Sequence, residues 1–247
     1  MDEEYFINEQ ETKEGYEKML KVIKRLINDS KLCLDNSRYS ASVSLSILTL
    51  EETAKADFFR LKIKESKGIT KKEWKDLTAG GDSHIKKLNW FLDKKEKGLE
   101  RWTEEDIASL HEVNSFLGFG VNNNKEDMKK EIELFRMVVA KFNIIKQSCF
   151  YTSWNINYHE WKYFDSMFPD KIKIVMANYL FIESKRNFLS LQFAKVLPDK
   201  KFVDYTQEDW DRARNSNIRK EIEKTYTEGN KKLKDFGLLI NALYSLN

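Results

Sequence analysis

Proline is almost missing from this chain, with 2 residues in 247, and glycine is scarce at 9. Long helices therefore meet few breaks, because proline removes a helical hydrogen bond and glycine costs about 1 kcal/mol in a helix interior. Cysteine is rare as well. Cys33 and Cys149 have no metal-ligand spacing and supply no disulfide framework. No apolar run approaches the roughly 18 residues that a membrane span requires. The opening MDEEYFINEQETKEG is acidic and polar, unlike a secretory signal. The expected compartment is the cytoplasm, with no membrane partner and both thiols reduced. A phosphate-cradling glycine loop, a nucleophile elbow and a zinc motif are all absent. Charge of one sign is lacking too: 43 basic residues against 40 acidic ones leave a net charge of +3. That balance gives no broad positive field for general nucleic-acid binding. Scattered lysine pairs, such as 71–72 and 129–130, read as solvated helix faces.

What the chain does have is apolar residues at helical spacing, and the fold class read from them is all-α. Tyr16, Met19, Leu20, Ile23, Leu26 and Ile27 predict a first helix over residues 12 to 34. Asp35-Asn36-Ser37 is a short break, and a second helix follows to about Lys64. So short a link predicts an antiparallel hairpin. A short helix is expected from Lys72 to Leu77, and another after Gly80-Gly81, capped by Asp82 or Ser83 and ending at Lys95. Thr103-Glu104-Glu105-Asp106 starts a helix to Phe116, and Gly118 to Asn124 make a turn. A long helix from Lys125 to Ser153 turns Ile132, Phe135, Val138, Val139, Phe142 and Ile145 inward. An aromatic connection from Trp154 to Phe168, a helix over 170 to 196, a helix capped by Thr206 and a final amphipathic segment from Lys231 to Leu246 complete the reading. A boundary near residue 165 divides the chain into 1–164 and a helical extension, 165–247, which can also pack on the first part as one unit.

The second helix carries the unusual chemistry. In RYSASVSLSILTLEETAKADFFRL (residues 38 to 61), Val43, Ile47, Leu50, Ala54, Phe58 and Leu61 make one apolar stripe. Leu45, Leu48 and Phe59 make a second, with Glu52 inside it, while Glu51 and Lys55 lie between the two, one turn apart. A helix apolar on two sides is central to its domain, and a charge within it is costly unless paired. Its third side, Ser42, Ser46, Thr49, Thr53 and Ala56, is small enough for close approach by another helix, from the same chain or from a second copy.

His84 and Lys87 share a helix face further on. If that helix meets the second, then Glu51, Glu52, Lys55, His84 and Lys87 form one cluster, suited to proton transfer or to gripping phosphate. The alternative is an ion-pair network that fixes helix register. His159 in NYHEWKYF reads as a loop residue, and His111 as a surface residue of its helix. Trp154, Tyr158, Trp161, Tyr163 and Phe164 can stack bases or pack as core.

The succession of LEETAK, SHIKK and KQSCFYTS (starting at Leu50, Ser83 and Lys146) resembles the AbiV family of bacterial abortive-infection proteins. The likeness runs over about residues 10 to 155. Glu51, Glu52 and Lys55 match the family's Glu-Glu-x-x-Lys element and His84 with Lys87 its His-x-x-Lys. Lys146 with Tyr151 matches the third element more loosely, since CFYTS stands where an acid is expected.

The resemblance implies a HEPN-like antiparallel helical bundle and a homodimer active in phage defence. It implies a protein dormant until a phage-encoded activator engages it, then blocking translation, with RNA or the translation machinery as target. HEPN relatives are often metal-independent ribonucleases, so no metal or cofactor is expected. Their arginine followed by four to six residues and then histidine is missing here: Arg214 and Arg219 have similar spacing, but arginine cannot transfer protons near neutrality. On this reading His84 moves the proton. Lys55, Lys87, Lys146 and Tyr151 meet RNA phosphate, and Glu51 or Glu52 orients them. A non-catalytic protein that occupies its target's surface, and a metal-dependent hydrolase built on the paired glutamates, are the competing expectations.

Overall fold

The computed structural model describes residues 5–78, 86–89, 92–93, 96, 125–151, 153–155, 160–196 and 206–232. Its elements are β1 (Tyr5–Ile7), α1 (Glu9–Asp35), α2 (Tyr39–Lys64), β2 (Ile69–Thr70), α3 (Lys71–Thr78), α4 (Lys125–Phe150), β3 (Ser153–Asn155), β4 (Glu160–Lys162), α5 (Phe164–Met167), α6 (Asp170–Phe193), α7 (Gln207–Asn215) and α8 (Asn217–Lys232). The protein is all-α, as its composition predicts. Its strands form two short antiparallel pairs, β1 with β2 and β3 with β4. The second pair, with Trp154 opposite Trp161, lies in the aromatic connection where no strand was expected.

Helix α1 begins at Glu9, ahead of its apolar periodicity, because Asn8 and Glu11 form a reciprocal cap. The Asn8 side chain accepts from the Glu11 N–H at 2.9 Å, and the Asn8 N–H donates to Glu11 Oε2 at 2.9 Å. The helix ends in a closure of the Schellman type. The Arg38 N–H donates to Cys33 O at 2.8 Å and the Ser37 N–H to Leu34 O at 3.1 Å. Ser37 sits at φ 57°, the left-handed region usually given to glycine. Helix α2 ends the same way: Ser66, at φ 52°, donates to Ile63 O at 3.1 Å and Lys67 to Lys62 O at 2.9 Å. In a glycine-poor chain, serine occupies both turning positions.

The closure after α1 folds α2 back along it. Ser30 Oγ lies 3.0 Å from Ser42 O, 3.1 Å from Ser42 Oγ and 2.8 Å from Ser46 Oγ, all of them buried. The serine end of the small-residue side of α2 is therefore an intramolecular contact with α1. Thr49 and Thr53 direct their hydroxyls to carbonyls of α2 itself.

Two apolar clusters lie along α2. The first joins Val43, Ile47, Leu50 and Ala54 to Leu88 and Leu92, to Val139, Phe142 and Ile145 of α4, and to Phe164 and Phe168. The second joins Ala56, Phe58 and Phe59 to Tyr16, Met19, Leu20, Ile23 and Ile27 of α1. Helix α6 serves both: Val175, Met176, Tyr179 and Leu180 enter the first, and Phe181, Ile182, Phe188 and Leu191 the second. Residues on either side of position 165 thus share one core. Helix α8 packs on α6, where Glu221 reaches Lys185 at 3.4 Å. Among the described residues, no helix is long and apolar enough to cross a membrane.

Of the apolar faces predicted for α1 and α4, the described side chains are buried except Leu26 and Ile132, which are half-buried. The helix predicted from Thr103, the turn at Gly118 to Asn124 and the segment from Lys231 to Leu246, beyond Lys232, lie outside the described residues. The region after α7 differs from expectation, since α8 forms where no helix was read. It starts after Ser216, whose Oγ accepts from the Arg219 N–H at 3.2 Å.

Replacing Ser37 by glycine removes the cost of holding a Cβ in the left-handed region. Ser37→Gly and Ser66→Gly are each expected to raise unfolding free energy by about 0.5 to 1 kcal/mol. Urea titration checks this; a loss of stability in both would contradict the backbone assignment at these turns.

Candidate functional site

Glu51, Glu52 and Lys55 occupy two successive turns of α2, so their side chains project toward neighbouring sectors. The sectors differ in burial. Glu51 faces α4 and is 2 % exposed, whereas the side chains of Glu52 and Lys55 keep 26 % and 19 % of their surface. Leu45 and Leu48, predicted as fully apolar neighbours of Glu52, are likewise only half-buried. The second apolar strip is thus an open margin of the bundle at the level of Glu52, and closes only at Phe59. The expectation that Glu52 and Lys55 are as buried as Glu51 is corrected accordingly: no helix among the described residues covers that margin completely.

Lys146 comes from α4, whose inward residues Phe142 and Ile145 fix the rotation of the helix. Its Nζ donates to Glu51 Oε1 at 2.7 Å, with both side chains almost fully enclosed. Two opposite charges removed from water attract strongly, but each lost a large hydration energy, so the pair is held by its partners rather than a clear net source of stability. On the open margin, Lys55 Nζ lies 3.5 Å from Glu52 Oε2 and 5.7 Å from the centre of the Trp74 ring of α3. That looser pair is reachable by water and by ligands.

Lys87, on the helical segment with Leu88, is the remaining cation and is 7 % exposed. Burial pushes its affinity for a proton below the ordinary value of 10.5; Glu52 and Glu51 support its charge, while Lys55 and Lys146 oppose it. Five groups from three separate parts of the sequence therefore feel one another here. Among the described residues, three lysines meet two glutamates here, and burial disfavours the charged form of Lys87.

Of the residues that the sequence suggested could meet, Glu51, Glu52, Lys55 and Lys87 lie within electrostatic reach of one another, and Lys146 adjoins them through Glu51. His84 lies outside the described residues, as do His111 and His159. Tyr151 follows the end of α4, is 70 % exposed and makes a ring contact with Phe150. Phe164 is core, stacked obliquely on Phe168 with ring centres 5.4 Å apart, so it does not serve as a base platform. Arg219 pairs with Glu223 along its own helix at 3.5 Å. Among the described residues no three His, Cys, Asp or Glu side chains gather as a metal-ligand set. Sequence reading did not single out Trp74, whose ring below Lys55 depends on how α3 packs.

Cys149, one turn beyond Lys146, is chemically quiet. Burial, and then Asp165, push its thiol up to about 12. Alkylation at pH 8 should therefore label Cys149 in unfolded protein and leave it largely unmodified in the native fold. The ion pair gives a second expectation. Glu51→Gln or Lys146→Met alone should cost about 3 to 5 kcal/mol, and Glu51→Met with Lys146→Met much less than the sum. Additive losses in denaturant titrations would mean that the two groups are not coupled.

Lys87 makes stability depend on pH. The unfolded chain binds this proton more tightly than the fold does, so stability rises with pH through the window between the lowered folded value and 10.5. Lys87→Met should flatten that rise.

The comparisons with known proteins agree with the motifs. The family model described as AbiV matches residues 11–180, which run from α1 into α6 and include the whole cluster. No curated protein and no solved structure matches the chain. A match over more than half the length settles membership: the chain belongs to the AbiV family of helical HEPN-like proteins, and with it to abortive-infection defence against phage.

Proposed function

We propose that this protein is a dormant antiphage effector that, once engaged by a phage-encoded activator, blocks translation by cutting RNA at the Glu51–Glu52–Lys55–Lys87–Lys146 cluster. The observation that carries the reading is the meeting of three lysines and two glutamates around α2, with Glu52 and Lys55 at its half-open margin, Glu51 and Lys146 enclosed, and burial lowering the proton affinity of Lys87. A buried ammonium with lowered proton affinity, close to carboxylates and a solvent-reachable edge, suits acid–base and phosphate chemistry. In this scheme Lys55, Lys87 and Lys146 neutralise phosphate charge, and the glutamates orient them. The proton-transfer role belongs to His84. Tyr151 is proposed to contact RNA beyond the cluster, and the working unit is proposed to be a homodimer, as in related HEPN proteins.

A second reading has its own support. Glu51 and Lys146 satisfy each other at 2.7 Å in a closed setting, which suits a register-fixing network in a protein that inhibits by occupying its target's surface. The two readings differ in turnover.

RNA recovered from cells before and after activation, sequenced at its ends, tests the scheme. The nuclease reading expects new, discrete ends in tRNA, rRNA or mRNA. Glu52→Gln and Lys87→Met should each lower cleavage by about 100-fold or more while circular dichroism stays native. Intact RNA in cells that the protein still protects would rule out cleavage and favour the stoichiometric inhibitor.

A further inference from the structure

The corner where β1, β2 and α3 meet α2 combines an exposed aromatic ring with a surplus of positive charge. Strand β1 pairs with β2, Tyr5 opposite Thr70 and Ile7 opposite Ile69. Gly68 permits this close approach, since a Cβ there would collide with Ile7 O and lie 2.7 Å from Tyr5 Cγ. The strand so held sets the Phe6 ring 6.5 Å from that of Trp74, tilted by 37°, and leaves Phe6 54 % exposed. Trp74 is fixed from behind. Phe59 of α2 meets it edge-on at 6.4 Å, and Lys55 Nζ lies over its ring at 5.7 Å. Glu73 anchors the same helix, accepting from the Thr70 N–H at 2.9 Å and pairing with Lys62 at 2.5 Å. Phe6 is thus an exposed ring on a braced aromatic base, one ring away from Lys55 and the open margin of α2.

A single exposed phenylalanine is ordinary, but its surroundings give this one a direction. Residues 60–78 hold seven lysines and arginines against three acidic residues, a surplus of +4 where the whole chain has only +3. On α3, Lys71, Lys72 and Lys75 are exposed. Lys71 shares the helix face of Trp74, and Lys75 follows it directly.

We infer that Phe6, backed by Trp74, is a stacking platform for an unpaired nucleobase, with Lys71 and Lys75 holding flanking phosphates of a single-stranded RNA. An aromatic face beside a basic stripe is the pairing by which proteins hold single strands, because every base has a π-face and every nucleotide a charge. A duplex offers neither free base faces nor the same fit. The inference deepens the function proposed above and rests on it for the choice of RNA as ligand. It adds a subsite outside the charged cluster, made of residues to which the cutting scheme gives no part.

Fluorescence anisotropy of the full chain with a labelled oligouridylate of about ten nucleotides tests the platform. Saturable binding is expected, with an RNA duplex of equal length held about tenfold more weakly or worse. Phe6→Ala and Phe6→Leu should each weaken binding of the single strand about tenfold, and Phe6→Trp should restore it. Leucine still covers Trp74, so an equal loss in both variants, with an unchanged urea midpoint, separates stacking from packing. Lys71→Met and Lys75→Met should each make the dependence of log affinity on log salt shallower by about 0.7. Lys31→Met, at the opposite end of α1 in an exposed pair with Asp35, should bind as the native protein does.

Native affinity in Phe6→Ala and Phe6→Leu, or equal affinity for the duplex, would overturn the platform. Absence of RNA binding would overturn it too, and a loss of phage protection in Phe6→Ala would then assign the face to a protein partner. Binding that depends on Phe6, without new RNA ends in activated cells, would leave the platform standing and remove the nuclease. New RNA ends in cells, with Phe6 irrelevant to binding, would do the reverse.

Discussion

The 2.7 Å contact between Glu51 and Lys146 ties the long α4 helix to the centre of α2, and the geometry of the cluster depends on it. Neither charge has ready access to water, so neither can be left alone without a large desolvation cost. That requirement selects one rotation and one axial position of α4 against α2. The apolar contacts of Val139, Phe142 and Ile145 fill the space around it, but packing alone tolerates sliding more readily than a buried ion pair does. Lys87 and the Glu52–Lys55 pair then take their places relative to this fixed point.

Around that contact the bundle is organised by α2, which has neighbours on nearly every side. Helix α1 approaches through Ser30, Ser42 and Ser46, where small side chains and shared hydroxyls allow close contact. Helix α6 crosses both apolar clusters and binds the two halves of the chain into one core. Among the described residues, the margin bearing Leu45, Leu48, Glu52 and Lys55 stays partly open. The proposed chemistry lies where coverage of the central helix is incomplete, next to the buried pair of Glu51 and Lys146.

Much of this was legible in advance because helical periodicity is strong in a chain so poor in proline and glycine. The hairpin of α1 and α2, the inward face of α4 and helix α6 all follow from the spacing of apolar residues. The cap at Asn8 and Glu11 was not read from the sequence, and periodicity alone starts α1 too late. The short strands were not legible: Ile69–Thr70 is too brief to carry alternation, and it pairs with Tyr5–Ile7 from far away in the chain. Within the site, Glu51, Glu52 and Lys55 stood out as charges in an apolar helix. Lys87 entered as the helix-face partner of His84, and Lys146 through motif likeness, since nothing local marks a lysine as buried among so many surface lysines.

By itself the sequence determined the helical class, the principal helix faces and the family, because these depend on local spacing and short motifs. The tertiary structure alone decided that Glu51 is enclosed while Glu52, its neighbour in the chain, reaches water. It also decided that Lys146 lies against the first of them and that Lys87 feels both. Burial and electrostatic coupling depend on distance through space, and residues 51, 87 and 146 become neighbours only when three separate segments pack together.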